Sequence, residues 1–282
     1  MLVYIFSVSG NNYKTDYTNL MVSLMNKNLP EVNQISDSDV AVESQDEIST
    51  LRKSRIVSRF LSPALKFWLK SQLQQVEQLK VLIEGGDRQI LTGKIPQVSV
   101  AASNVVFRGL NLTEIDLSAT GIKINIGQVI KGKPLQILES FPLFGKLKLL
   151  QSDLNTSLQS PLLAQAVVEF LTPLLPPDFL EQLEQPISLY DQKAEIFTDR
   201  INLFANFLST SDEKISLTLH TDLKVASSSE LLLDNLEIQI LQKPSYEFSN
   251  NIKIDLGSDV ELKELTLNPG QLSCQGRLTV NP

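Results

Sequence analysis

From Leu79 onward the apolar residues recur at every second position, and that period limits the fold more than any other feature. Val98/Val100 and Val105/Phe107 begin it. Ile115/Leu117/Ala119 then alternate with Glu114, Asp116 and Ser118, Ile122/Ile124/Ile126 with Lys123 and Asn125, and Leu147/Leu149 with Lys146 and Lys148. After Pro186 the clearest run is Lys214–Val225, where Ile215, Leu217, Leu219, Leu223 and Val225 share one parity and Lys214, Ser216, Thr218, His220, Asp222 and Lys224 the other. Leu236/Ile238/Ile240, Ile252/Ile254/Leu256, Val260/Leu262, Leu265/Leu267 and Leu272/Cys274/Leu278/Val280 continue it. Strict alternation gives strands with one buried and one wet face, the signature of antiparallel sheet. Gly85-Gly86, Gly93, Gly109, Gly121 and Gly132 punctuate the strands as turns.

One helical insert interrupts the strands. Asp153 is placed to cap it, with Leu154 and Leu158 at helical spacing. Ser160-Pro161 is a second cap followed by a first-turn proline. Leu162, Leu163, Ala166, Val167, Phe170, Leu171 and Leu174 form a broad apolar face, which must end near Pro173, Pro176 and Pro177. The order helix, strands, helix, strands predicts an α+β fold of two halves sharing one long sheet, not a parallel βαβ fold.

Charge is distributed unevenly. The 282 residues carry 25 bases and 32 acids, a net −7. Residues 1–47 read as an N-terminal extension, and from Glu31 to Glu47 they contain six acids and no base, an acidic linker. From Ile48 to Val76 the sign inverts, with Arg52, Lys53, Arg55, Arg59, Lys66 and Lys70 and no acid. On a helix of about 100° per residue, all of these bases except Lys53 fall within a sector roughly 60° wide. Val57, Leu61, Ala64, Leu65, Trp68, Leu69 and Val76 lie opposite. A basic amphipathic helix follows, either kinked at Ser62-Pro63 or split into 47–61 and 63–77. Residues 48–282 are expected to form one domain.

Several function classes are disfavoured. An acidic chain lacks the basic face that nucleic acid requires. One cysteine, Cys274, allows no internal disulfide, and one histidine, His220, cannot supply ordinary zinc ligation. Dinucleotide, P-loop and nucleophile-elbow motifs are absent. Strand parity puts His220 on the wet face with Thr218 and Asp222. Glu181/Glu184 read as a solvated helix end, and Cys274 as a small buried hydrophobe. No apolar run approaches the ~18–20 residues of a membrane span, and Met1–Gly10 has no basic residue ahead of its apolar stretch. The expected location is cytoplasmic and peripherally membrane-associated. No cofactor or metal is expected, and the oligomeric state stays open.

Leu79–Gly132 begins with a strand, then Leu91-x-Gly93-Lys94, the Val98/Val100 strand, Gly109-Leu110 and three short alternating strands. Ser152–Pro161 reads SDLNTSLQSP, and Val260–Val280 reads VELKELTLNPGQLSCQGRLTV. With these patterns the chain resembles the LmeA-like phospholipid-binding family of bacterial proteins over about residues 60–280, and is most similar to its cyanobacterial branch. The resemblance implies a tubular-lipid-binding (TULIP-like) architecture: a strongly curved antiparallel sheet wrapped around long amphipathic helices, with acyl chains in the apolar gap. The helices would be 62–76 and 160–175. The chain departs from the family pattern at Leu241–Asn251, which is short, polar and broken by Pro244 where members commonly have a further helix.

The resulting expectation is a non-enzymatic phospholipid-binding protein that docks reversibly on anionic membranes. Acyl chains would meet Leu61, Leu65, Trp68, Leu69, Val76, Leu163, Val167 and Phe170. Headgroups would meet Arg52, Lys53, Arg55, Arg59, Lys66 and Lys70. At ~0.8 kcal/mol per methylene, two chains of ~15 carbons gain ~24 kcal/mol over water, and a bilayer offers the same, so exchange runs both ways. The alternative is an interaction scaffold whose apolar helices bind a partner or dimerise.

Overall fold

The computed structural model describes residues 61–241, 246–247 and 251–282. Arg52, Lys53, Arg55 and Arg59 lie outside the described residues, as do the extension 1–47 and most of 241–251.

Eleven of the twelve strands form two antiparallel sheets. The first has the order β1 (Gln78–Glu84), β2 (Lys94–Phe107), β3 (Leu110–Lys123), β4 (Phe141–Leu150), β12 (Gln271–Val280) and β11 (Val260–Asn268). The second has the order β10 (Ile252–Asp255), β8 (Glu230–Ile240), β7 (Lys214–Ser227), β6 (Arg200–Leu208) and β5 (Leu189–Ile196), and the short β9 (Tyr246–Glu247) pairs with β8. The expected single sheet is therefore two. The C-terminal hairpin leaves the second sheet and pairs with β4 from Gln271↔Leu150 to Val280↔Phe141, so the chain's end completes the first sheet. Backbone bonds join the sheets where they meet: Gly270 N–H donates to Ile196 C=O at 2.8 Å, and Leu262 N–H to Ser228 C=O at 2.6 Å.

The helices are shorter than expected. α1 is Ser62–Gln72, with Pro63 in its first turn, and it ends four residues before Val76. Leu73 is already extended there, and Gln75 bridges Val106 of β2. α2 (Asp87–Leu91) and α3 (Ile126–Val129) close the outer end of the first sheet. Ile126, expected in a strand, thus opens a helical turn, because β3 ends at Lys123. The insert gives α4 (Gln151–Leu158), α5 (Pro161–Leu171), a 3-10 turn (Thr172–Leu174) and α6 (Pro177–Leu180). Ser160 caps α5 as expected, its Oγ accepting from Leu163 N–H at 3.3 Å.

Asp153 is not a cap. It sits inside the first turn of α4, and its carboxylate accepts a 2.5 Å bond from the Thr113 hydroxyl of β3. The wedge position of α4 explains why. Ser157 Oγ accepts from Asn111 N–H at 2.8 Å, a second tie to the first sheet. On its other side Gln151 Oε1 accepts from Ile196 N–H (2.8 Å), Asn155 Oδ1 accepts from Ala194 N–H (2.6 Å), and Gln159 Nε2 donates to Gln192 C=O (2.9 Å). Positions i, i+4 and i+8 share one helix face, and here they satisfy the otherwise unpaired edge of β5. Asn155→Ala is expected to cost about 1–3 kcal/mol, because it strands a half-buried N–H. Urea unfolding checks this, and Asn155→Asp, which keeps the acceptor, is expected to recover most of the loss.

Candidate functional site

Three apolar clusters run through the molecule. At the outer end of the first sheet, Ile83, Ile90, Ile95, Ile122, Ile124, Ile126 and Val129 pack with Leu61, Ala64 and Leu65. At the far end of the second sheet, Phe179 meets Phe207 edge-on at 5.8 Å, among Leu171, Leu183, Leu217 and Ile238. The third cluster fills the junction between the sheets, with Leu154 and Leu158 of α4 and Leu163 of α5.

The junction does not close completely. A cavity of about 300 Å³ lies between α5 and the inner face of the second sheet. α5 contributes Leu163, Ala166, Val167 and Phe170, a stripe at i, i+3, i+4 and i+7 that faces one way on a helix. The sheet contributes Ala194, Ile201, Leu203, Leu219, Leu223, Leu231, Leu233 and Ile254, all on the inward strand parity. Leu154 and Leu158 of α4 and Leu272 of β12 complete the lining. Among the described residues no charged side chain lines it. The one polar lining side chain among the described residues is Thr221, whose hydroxyl is committed to Asp234 C=O at 3.0 Å. A space of this kind repels water and accepts hydrocarbon.

Among the expected lipid contacts, Leu163, Val167 and Phe170 come together on this cavity. Leu61 is fully buried in the outer cluster with Leu65 beside it, Trp68 and Leu69 are half-buried on α1, and Val76 packs against the junction cluster. Lys66 and Lys70 are exposed on α1. The sheet's share of the lining was visible as strand parity but not as a site, because parity does not say which buried residues find a partner.

A second hollow, about 380 Å³, crosses the outer face of the first sheet. Ser99, Ala101 and Ser118 floor it, with Leu82 on one side and Phe144 on the other. Lys80, Asp116 and Lys146 stand in one cross-strand row, so this surface is charged and wet.

His220, Asp222 and Cys274 lie outside the cavity lining. His220 lies on the outer face of the second sheet between Asn202 and Glu237. Asp222 is held below the usual carboxylate range by the hydrogen bond from Arg200. Among the described residues no His, Cys, Asp and Glu group could hold a metal ion. Burial pushes the Cys274 thiol up to about 12. Its folded value exceeds its unfolded one, so the folded state keeps a proton that the unfolded state loses from about pH 9. Stability is therefore expected to fall as pH rises above that point, by up to ~1.4 kcal/mol per pH unit from this group. Comparing urea midpoints of the native chain and Cys274→Ala through this range isolates it.

No helix among the described residues is long and apolar enough to cross a membrane. No curated protein and no solved structure matches the chain. A family model described as LmeA-like phospholipid-binding matches residues 52–277, about four-fifths of the sequence. That span takes in α1, both sheets and the helices over the cavity, and the chain belongs to the LmeA-like phospholipid-binding family.

Proposed function

We propose that this protein holds a phospholipid acyl chain beneath α5 and docks reversibly on anionic membranes. The observation that carries the reading is the uncharged cavity between Leu163/Val167/Phe170 and the second sheet. Membership of a phospholipid-binding family supports it independently.

Its length is on the scale of an acyl chain. The lining from Leu163 to Phe170 spans about 10 Å of helix. One leaflet is about 15 Å of hydrocarbon, so the cavity takes most of a single chain. About ten methylenes then gain ~8 kcal/mol over water, and the bilayer offers the same. Uptake and release are nearly balanced, which suits exchange at a membrane surface. Trp68 and Leu69 add half-buried apolar surface on α1, and the bases from Arg52 to Lys70 attract anionic headgroups.

Mass spectrometry of an organic extract from freshly purified protein tests the reading. Co-purified phospholipid near one per chain is the expected result. A clean extract would remove the lipid function and leave the scaffold.

A further inference from the structure

The first sheet ends in a cap made of α2, α3 and the loop after α3. Its pieces are bonded to one another. Ile124 N–H donates to Gly93 C=O at 2.8 Å and Leu138 N–H to Lys123 C=O at 2.9 Å. The Asn125 side chain grips the loop twice, donating to Pro134 C=O at 2.9 Å and accepting from Gln136 N–H at 2.7 Å. Ile90, Ile124, Ile126 and Val129 fill its interior.

The exterior has an unusual composition. Leu91, Ile130 and Leu138 are 53%, 39% and 54% exposed, each directly after a residue that packs inward. One exposed leucine needs no explanation, but three large apolar side chains exposed on segments bonded to one another are unusual. The charge around them is also atypical. Residues 87–95 and 121–140 carry five bases against two acids, +3 in a chain of −7, and one of those acids, Glu139, is paired with Lys123. Arg88, Lys94, Lys131 and Lys133 are exposed and form no ion pair among the described residues. Leu61 and Leu65 pack into the same interior, so Lys66 and Lys70 of α1 ride on an element anchored to the cap.

We propose that this cap is the membrane-docking tip: Leu91, Ile130 and Leu138 enter the headgroup boundary of an anionic bilayer, ringed by Arg88, Lys94, Lys131 and Lys133. Exposed aliphatic side chains together with exposed, unpaired cations suit the layered chemistry of that boundary. The inference deepens the docking half of the proposed function and rests on it. It is separable from the acyl site, because the cap and the cavity share no lining residue.

Flotation of the full chain with phosphatidylcholine vesicles, with or without about one-third phosphatidylglycerol, tests it. The expected result is flotation with the anionic vesicles, weakened by salt. Leu91→Ser/Ile130→Ser/Leu138→Ser and, separately, Lys131→Glu/Lys133→Glu are each expected to lower partitioning tenfold or more, at about fivefold per charge for the lysines. Both changes are at exposed positions, and unchanged circular dichroism confirms folding. Phe144→Ala, which lies outside both the cap and the acyl cavity, is expected to float like the native chain. Normal flotation of both cap variants overturns the proposal. If Arg52→Glu/Arg55→Glu/Arg59→Glu alone abolishes flotation, membrane docking stands and this surface does not. If the native chain fails to float, docking itself falls, while lipid in the extract still reports on the cavity.

Discussion

Ala166→Phe/Leu203→Phe is expected to leave the purified protein with at least tenfold less bound phospholipid. The two rings enter the cavity from opposite walls, α5 and β6. Ala166→Phe gains up to roughly 1.5–3 kcal/mol of apolar burial, Leu203→Phe gains less because the leucine it replaces is already half-buried, and each meets an overpacking cost of about 1–3 kcal/mol. The unfolding midpoint therefore stays close to native while the acyl space disappears. Phe144→Ala, in the outer hollow of the first sheet, is the matched control and is expected to retain its lipid. Extract mass spectrometry reads both, with thermal unfolding as the check on folding.

Gly109→Val is expected to be strongly destabilising, at roughly 2–5 kcal/mol. Arg108 and Gly109 make the two-residue turn between β2 and β3, both at positive φ (51° and 79°), the geometry of a tight hairpin. A side chain at Gly109 adopts a left-handed backbone that costs ~1–2 kcal/mol. Its Cβ also falls 2.6 Å from the Ser160 Cβ, where α4 hands over to α5. Relieving that overlap costs a further ~1–3 kcal/mol. Gly121→Val separates the two terms. Gly121 has φ +67° but open space around it, so only the backbone cost applies. Urea unfolding of both variants gives the difference, and equal losses would show that the contact with Ser160 does not matter.

The fold was legible wherever the physics is local. Alternation marked β7 correctly from Lys214 to Val225, and the proline-bounded Ser160–Leu171 helix was readable from its cap and its stop. Partition into two sheets was not legible, because pairing of β12 with β4 spans more than a hundred residues and leaves no local trace. Asp153 looked like a cap because capping is a sequence-local preference. Its partner, Thr113, is forty residues away. The same applies to Asn155 and Gln159, which carry no charge or period and become visible only once the β5 edge lies beside them. Of the site, α5's stripe was readable from helical spacing. Which strand residues face it depends on which sheet α5 covers, and no spacing encodes that. The cap's exposed Leu91, Ile130 and Leu138 were passed over because each stands next to an apolar neighbour that is packed inward.

A bromine-labelled acyl chain on a phospholipid, located by anomalous diffraction from crystals of the loaded protein, tests the central claim most directly. The account predicts a single bromine peak between α5 and the second sheet, bounded by Leu163, Phe170, Leu203 and Leu219. A peak in the outer hollow beside Phe144, or against Trp68 with the space beneath α5 empty, would contradict it.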